Sequence, residues 1–125
     1  MQSFTRRLPD AELEIIQAIW DCRPPVSRAD IEKIINKKHP LATTTILTLL
    51  SRLVEKGAVH ADKNGRSNLY TPLLSRQDYL AVQSRSFLEK LCGGDMQLFA
   101  TALCDSGLSK EDIKELRSLL ERGEL

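Results

Sequence analysis

The sequence predicts a mainly α fold, with three helices and one β-hairpin ahead of three further helices. Three observations carry that prediction. Apolar residues recur at three- and four-residue spacing through most of the 125 positions, the period of a helix with one buried face. Proline and glycine punctuate those runs, at Pro24-Pro25, Pro40, Gly57, Gly93-Gly94 and Gly107. Only the stretch around Asn64-Gly65 loses the helical period, and that dipeptide is a strong hairpin signal.

The first helix is expected over Asp10–Cys22. Pro9 can stand at its start, where the N–H has no intrahelical partner. Asp10, Glu12 and Glu14 suit the positive end of the helix dipole. Ala11, Ile15 and Ile19 form an inward stripe, with Ile16 and Trp20 beside it. Arg23-Pro24-Pro25 ends the helix, because a proline drives the residue before it out of helical conformation. Ser27, with Asp30 three residues on, caps a second helix over Arg28–Lys37. Ile31, Ile34 and Ile35 point inward, and His39-Pro40 breaks it. A third helix starts at Thr43 or Thr44 and ends at Lys56, with Gly57 as its left-handed stop. Its predicted buried face is Ile46, Leu49, Leu50, Leu53 and Val54. Ala58–Lys63 and Arg66–Thr71 read as strands joined by a type I′ turn centred on Asn64-Gly65, where both residues need positive φ. Three helices followed by a hairpin make a winged helix-turn-helix.

Ser75 with Asp78 caps a fourth helix that runs to Leu91. A fifth is expected over Asp95–Asp105. Ser109 with Asp112 opens a sixth over Lys110–Glu121. These three helices are too short to bury their apolar faces alone, so a second copy of the chain is expected to cover them. The alternative is that they fold back onto their own winged helix. The residues assigned to the dimer face are Tyr79, Phe87, Leu88, Leu91, Leu98, Phe99, Leu103, Ile113, Leu116, Leu119 and Leu120. The expected division is a winged-helix DNA-binding domain over 1–74 and a helical dimerisation domain over 75–125.

Composition narrows the class. No apolar run approaches the roughly 20 residues that span a bilayer. Met1–Arg7 carries charge but no apolar stretch of signal-peptide length. A cytoplasmic protein with no membrane insertion is expected. Three cysteines, odd in number and widely spaced, do not form a disulfide framework and read as small buried apolar residues. Through Leu74 there are 11 Lys/Arg against 8 Asp/Glu, and afterwards 7 against 9, so the first half is the one suited to a polyanion. There is no nucleophile elbow, phosphate-binding glycine loop or metal-ligand run, and His39 and His60 stand alone. No enzyme activity, cofactor or metal is expected.

The chemistry lies in the third helix and the hairpin. With Ile46, Leu49, Leu50 and Leu53 turned inward, Thr44, Thr45, Leu47, Thr48, Ser51 and Arg52 fall on the outer faces. Short hydroxyl side chains near a helix start, Thr43 among them, can reach phosphates or base edges, and a threonine methyl can pack on a thymine methyl. Free first-turn N–H groups suit a phosphate oxygen. The hairpin tip, Lys63-Asn64-Gly65-Arg66, places two cations around a tight turn, as a wing does when it grips the DNA backbone. Plain capping threonines and a solvated turn are the alternative reading. A winged helix that binds another protein would instead expose an apolar patch here.

These residues also resemble a family. Leu8–Ile16 with Trp20 resembles the opening helix of the BlaI/MecI/CopY penicillinase-repressor family. Thr45–Leu50 with Arg52-Leu53 and Lys56-Gly57 resembles its recognition helix, and Gly65-Arg66 with Tyr70–Leu73 its wing. The likeness continues through Phe87-Leu88 to Leu108–Ile113 and Leu116. The resemblance implies a homodimeric repressor on a pseudo-palindromic operator, with the third helix in the major groove and the wing on the backbone. An inducing protease or membrane sensor is a further partner it implies. By position, Thr45 and Thr48 match the two family threonines of the recognition helix and Arg52 its arginine. Leu47 departs from the residues that members often turn to the bases, and Thr44 replaces a commonly charged or amide residue. The β-lactam-responsive members are cut at an Asn-Phe bond where this chain has Thr101-Ala102. The copper-responsive members end in a cysteine-rich motif where this chain has Arg122-Gly123-Glu124-Leu125. Neither mode of induction is carried over.

Overall fold

In the computed structural model, which describes residues 6–123, the first helix, α1, spans Asp10–Trp20 with Pro9 as its N-cap. It ends earlier than expected, as Asp21 and Cys22 close the last turn onto Gln17 and Ile19 carbonyls. Ile15, Ile16 and Ile19 are fully buried, but Ala11 is exposed. The inward stripe begins instead at Glu12, which is 3% exposed.

Val26-Ser27 forms a short strand, β1, that the sequence reading missed. Two residues are too few to show alternation, and Ser27 doubles as the cap of the next helix. That helix, α2, spans Arg28–Lys38 behind a reciprocal Ser27–Asp30 capping box. The third, α3, spans Thr43–Glu55. Gly57 follows its end at φ 80°. Ile46, Leu49, Leu50 and Leu53 are buried, whereas Val54 is 37% exposed and leaves the predicted inner face. Each fully buried Ile or Leu contributes roughly 1.5–3 kcal/mol of hydrophobic stabilisation.

The hairpin consists of β2, Val59–Asn64, and β3, Ser67–Pro72, in a three-stranded antiparallel sheet ordered β1-β3-β2. Asn64 pairs with Ser67, so the central turn residues are Gly65 and Arg66. Gly65 has φ 67° and no non-glycine residue has positive φ among the described residues. That pattern is a type II′ turn, with glycine first, and corrects the expected type I′ turn centred on Asn64-Gly65.

The fourth helix, α4, spans Arg76–Ser86, and a π-helical turn over Phe87–Leu91 continues it to the expected end. The fifth, α5, spans Met96–Asp105, capped by the Asp95 carboxylate. The sixth, α6, spans Lys110–Arg122 behind a Ser109–Asp112 capping box. Asp112 is held below the usual carboxylate range, first by the Ser109 backbone N–H and then by its hydroxyl.

The chain divides into two compact units, one through Gln83 and one from Ser84 onward. The first unit passes the boundary expected after Leu74, because the start of α4 packs onto α1. Trp20 Nε1 donates to the Leu74 carbonyl at 2.8 Å. Arg76 lies over the Trp20 ring and pairs with Asp21 at 2.7 Å. Tyr79 is 4% exposed, and its hydroxyl accepts from the Leu8 N–H at 2.9 Å. Tyr79 therefore belongs to the core of its own first unit and is withdrawn from the dimer face. In the second unit, α5 and α6 bury no residue. Phe87 and Phe99 pack with centroids 5.8 Å apart. Cys92 is buried as expected, but Cys22 is half-buried and Cys104 exposed. No helix among the described residues is long and apolar enough to cross a membrane.

Candidate nucleic-acid interface

The outer face of α3 is open along its length. Thr43, Thr44, Thr45, Leu47, Thr48, Ser51 and Arg52 are all exposed, with Leu47 at 41%. Ala42, the N-cap, provides no side-chain cap, and the first backbone bond into the helix is Ile46 N–H to Ala42 C=O. The N–H groups of Thr43, Thr44 and Thr45 thus lie ahead of the helical ladder and can meet a phosphate oxygen.

Two of the threonine hydroxyls are already engaged. Thr43 donates to Glu32 Oε1 of α2 at 2.7 Å. Thr48 donates to the Thr44 carbonyl at 2.9 Å. A hydroxyl so bound keeps its methyl and a lone pair for a ligand but not its proton. Thr43 is thereby a strut between α2 and α3. Glu32 is held below the usual carboxylate range, chiefly by the Thr43 bond and then by Arg28.

Helix and hairpin share one cleft. Ser51, Val54 and Glu55 of α3 line it on one side, and Ala61, Asn68 and Tyr70 of the sheet on the other, around a volume of about 300 Å³. Side chains alternate along a strand, so Lys63, two residues beyond Ala61, lies on the face turned toward α3. Asn68 is its cross-strand partner. Arg66 occupies the turn itself, and Asn64 and Ser67 fall on the opposite face. Lys63, Arg66 and Arg52 have no carboxylate within ion-pair distance among the described residues. A polyanion can therefore meet all three without breaking a bond. On the outer face of β2, His60 pairs with Asp62 at 2.9 Å.

A family model described as a penicillinase repressor matches residues 8–122. The chain belongs to the penicillinase repressor family. A penicillinase repressor of Bacillus licheniformis is 35% identical over 116 residues, which cover 92% of this chain and 90% of the relative. The methicillin resistance regulatory protein MecI of Staphylococcus aureus (strain N315) is 29% identical over 123 residues, covering 98% of this chain and 99% of MecI. The solution structure of the DNA-binding domain of the repressor BlaI superposes with a TM-score of 0.53 at 33% identity, covering 62% of this chain and 94% of that one. The monomeric form of Bacillus licheniformis BlaI in complex with the blaP half-operator superposes with a TM-score of 0.51 at 33% identity and the same coverage. The winged helix read from the sequence is the fold that these penicillinase repressors share with this chain.

Within that family frame, three side chains around α3 have roles that the sequence reading does not assign. Asn68 reads as an ordinary residue of the return strand until the register pairs it with Lys63. Glu32 carried no signal, since its partner Thr43 is eleven positions away. Glu12 did carry one: it precedes Ile15, Ile16 and Ile19 at helical spacing and so falls on the buried stripe. Its carboxylate pairs with Lys56, the C-cap of α3.

Proposed function

We propose that this chain is a homodimeric transcriptional repressor that binds a pseudo-palindromic operator duplex. The observation that carries the reading is the shared cleft. Ser51, at the C-terminal end of the exposed Thr44–Arg52 surface of α3, and the sheet face that carries Lys63 line the same groove, so one duplex can touch both elements. In this reading Thr45, Leu47 and Thr48 face base edges, with Leu47 packing on thymine methyls. Thr44, Ser51, Arg52, Lys63, Asn64 and Arg66 meet backbone or groove edge. The first unit is the DNA-binding domain. The second is the dimerisation domain, through Phe87, Leu88, Leu91, Leu98, Phe99, Leu103, Ile113, Leu116, Leu119 and Leu120. The protein acts by binding in the cytoplasm rather than by catalysis.

Selection of bound duplexes from a random pool tests this directly, and a site with two-fold symmetry is the expected product. Binding to that site should weaken with salt at a slope reflecting about four to ten phosphate contacts. Replacing Thr45 or Thr48 should remove sequence preference, whereas K63A and R66A should weaken every duplex alike. Variants that all bind as wild type does would sink the assignment. Equal mobility of the chain with and without any duplex would favour a protein-binding winged helix.

A further inference from the structure

The third helix is fastened at both ends to carboxylates of other helices, and we infer that Glu32 and Glu12 are positioning residues that set how α3 presents its outer face to DNA. This rests on the DNA-binding reading above. At the start, Thr43 is the first residue of α3 and gives its proton to Glu32 Oε1 at 2.7 Å. The same oxygen accepts from Arg28 at 2.6 Å, so α2 fixes the carboxylate before the carboxylate fixes α3. At the far end, Lys56 is the C-cap of α3 and donates to Glu12 Oε1 of α1. Glu12 is the one buried charged residue among the described residues.

The Glu12–Lys56 pair buries the carboxylate while Lys56 stays partly exposed, and such a pair is a poor way to gain stability, because desolvating a charge offsets its attraction and packed apolar side chains serve as well. Its distinct property is directional. Apolar side chains can slide over one another, whereas a charge pair fixes distance and angle. A charge-assisted hydrogen bond at the start, Thr43 to Glu32, and this ion pair at the end of a 13-residue helix together fix its shift along the axis and its tilt. Thr45, Leu47 and Thr48 lie between the attachments and inherit that placement. Base-edge contacts need placement to tenths of an ångström, while lysine and arginine reach phosphates from a range of positions. Loosening either end should therefore erode sequence preference before general affinity.

The test uses the full chain and two probes: the duplex recovered by selection and a scrambled duplex of the same composition. T43V removes the hydroxyl while keeping the shape, E32Q removes the charge, and T43S restores the donor. T43V and E32Q should each weaken the selected duplex about tenfold, comparable to one mismatched base pair, with the scrambled duplex unchanged. The double variant should lose no more than either single one, since the two groups act as a unit. T43S should keep the wild-type ratio of the two affinities. E12Q should lose that ratio as well. Should E12Q not fold, the paired exchange E12Q/K56M removes both charges together and carries the same expectation. An unchanged ratio in folded variants, an equal loss on both duplexes, or loss of the ratio in T43S overturns the inference. Failure of the underlying DNA-binding reading looks different: the wild type itself then selects no duplex.

Discussion

Gly65 holds the one backbone position in the hairpin that an L side chain resists, at φ 67°. A Cβ there would meet nothing within 4 Å, so the cost of G65A is backbone strain alone. Thermal or urea unfolding should show G65A destabilised by about 1–3 kcal/mol. N64A should stay within about 0.5 kcal/mol, because Asn64 is an ordinary strand residue. A loss in N64A comparable to that in G65A would restore the type I′ turn, in which Asn64 also takes positive φ. The Asn64-Gly65 dipeptide located the turn but not its register, since glycine is central in either alignment. Tyr79 poses a similar ambiguity. An aromatic at helical spacing looks the same in sequence whether it faces a partner or its own core. Its hydroxyl is the acceptor for the buried Leu8 N–H, so Y79F strands a donor and should cost about 1–3 kcal/mol in urea unfolding. Sedimentation of Y79F should be that of the wild type. A Y79F chain that dissociates without losing stability would return Tyr79 to the dimer face.

At the scale of elements, the helices were legible because their caps are spelled out locally. Ser27–Asp30 and Ser109–Asp112 are reciprocal boxes in the structure, and Gly57 closes α3 as expected. What local pattern could not show was β1, which exists only because β3 pairs with it, and the π turn at Phe87–Leu91. The Thr43–Glu32 tie is of the same non-local kind, and it makes a pH prediction. Glu32 has a folded-state pKa lowered from 4.5, first by Thr43. A depressed carboxylate contributes stability that is fully present above its unfolded value and is lost as pH falls through the folded one. Wild type should therefore exceed T43V in urea midpoint at neutral pH, and the gap should close as pH drops below about 4.5 toward the lowered value. A gap that persists in acid would mean that the Thr43 hydroxyl acts through some group other than Glu32.

For the molecule as a whole, the two units are built on different terms. The first closes its own core, with Ile15, Ile16, Ile19, Ile46 and Leu53 at 0% exposure. The second leaves Leu91 at 75%, Leu120 at 62% and Leu98 at 53% exposure. A groove of about 260 Å³ between α5 and α6 is lined by Leu103, Leu108, Ile113 and Leu116. Open apolar surface of this kind is costly in water and is relieved by a partner. The sequence showed the shortage of chain but not the partner, since apolar spacing is identical for a self-packed and a shared face. If a second copy covers these residues, L98D/L120D should sediment as a monomer at concentrations where wild type is a dimer. The winged unit should keep its own unfolding transition, because neither residue belongs to its core. Affinity for a symmetric duplex should fall by about 10²–10⁴, the loss expected when two linked half-site contacts become independent. Affinity for a single half-site should not change. If the helices instead closed on their own winged unit, the same substitutions would lower the stability of that unit and leave the sedimentation of the chain as it was.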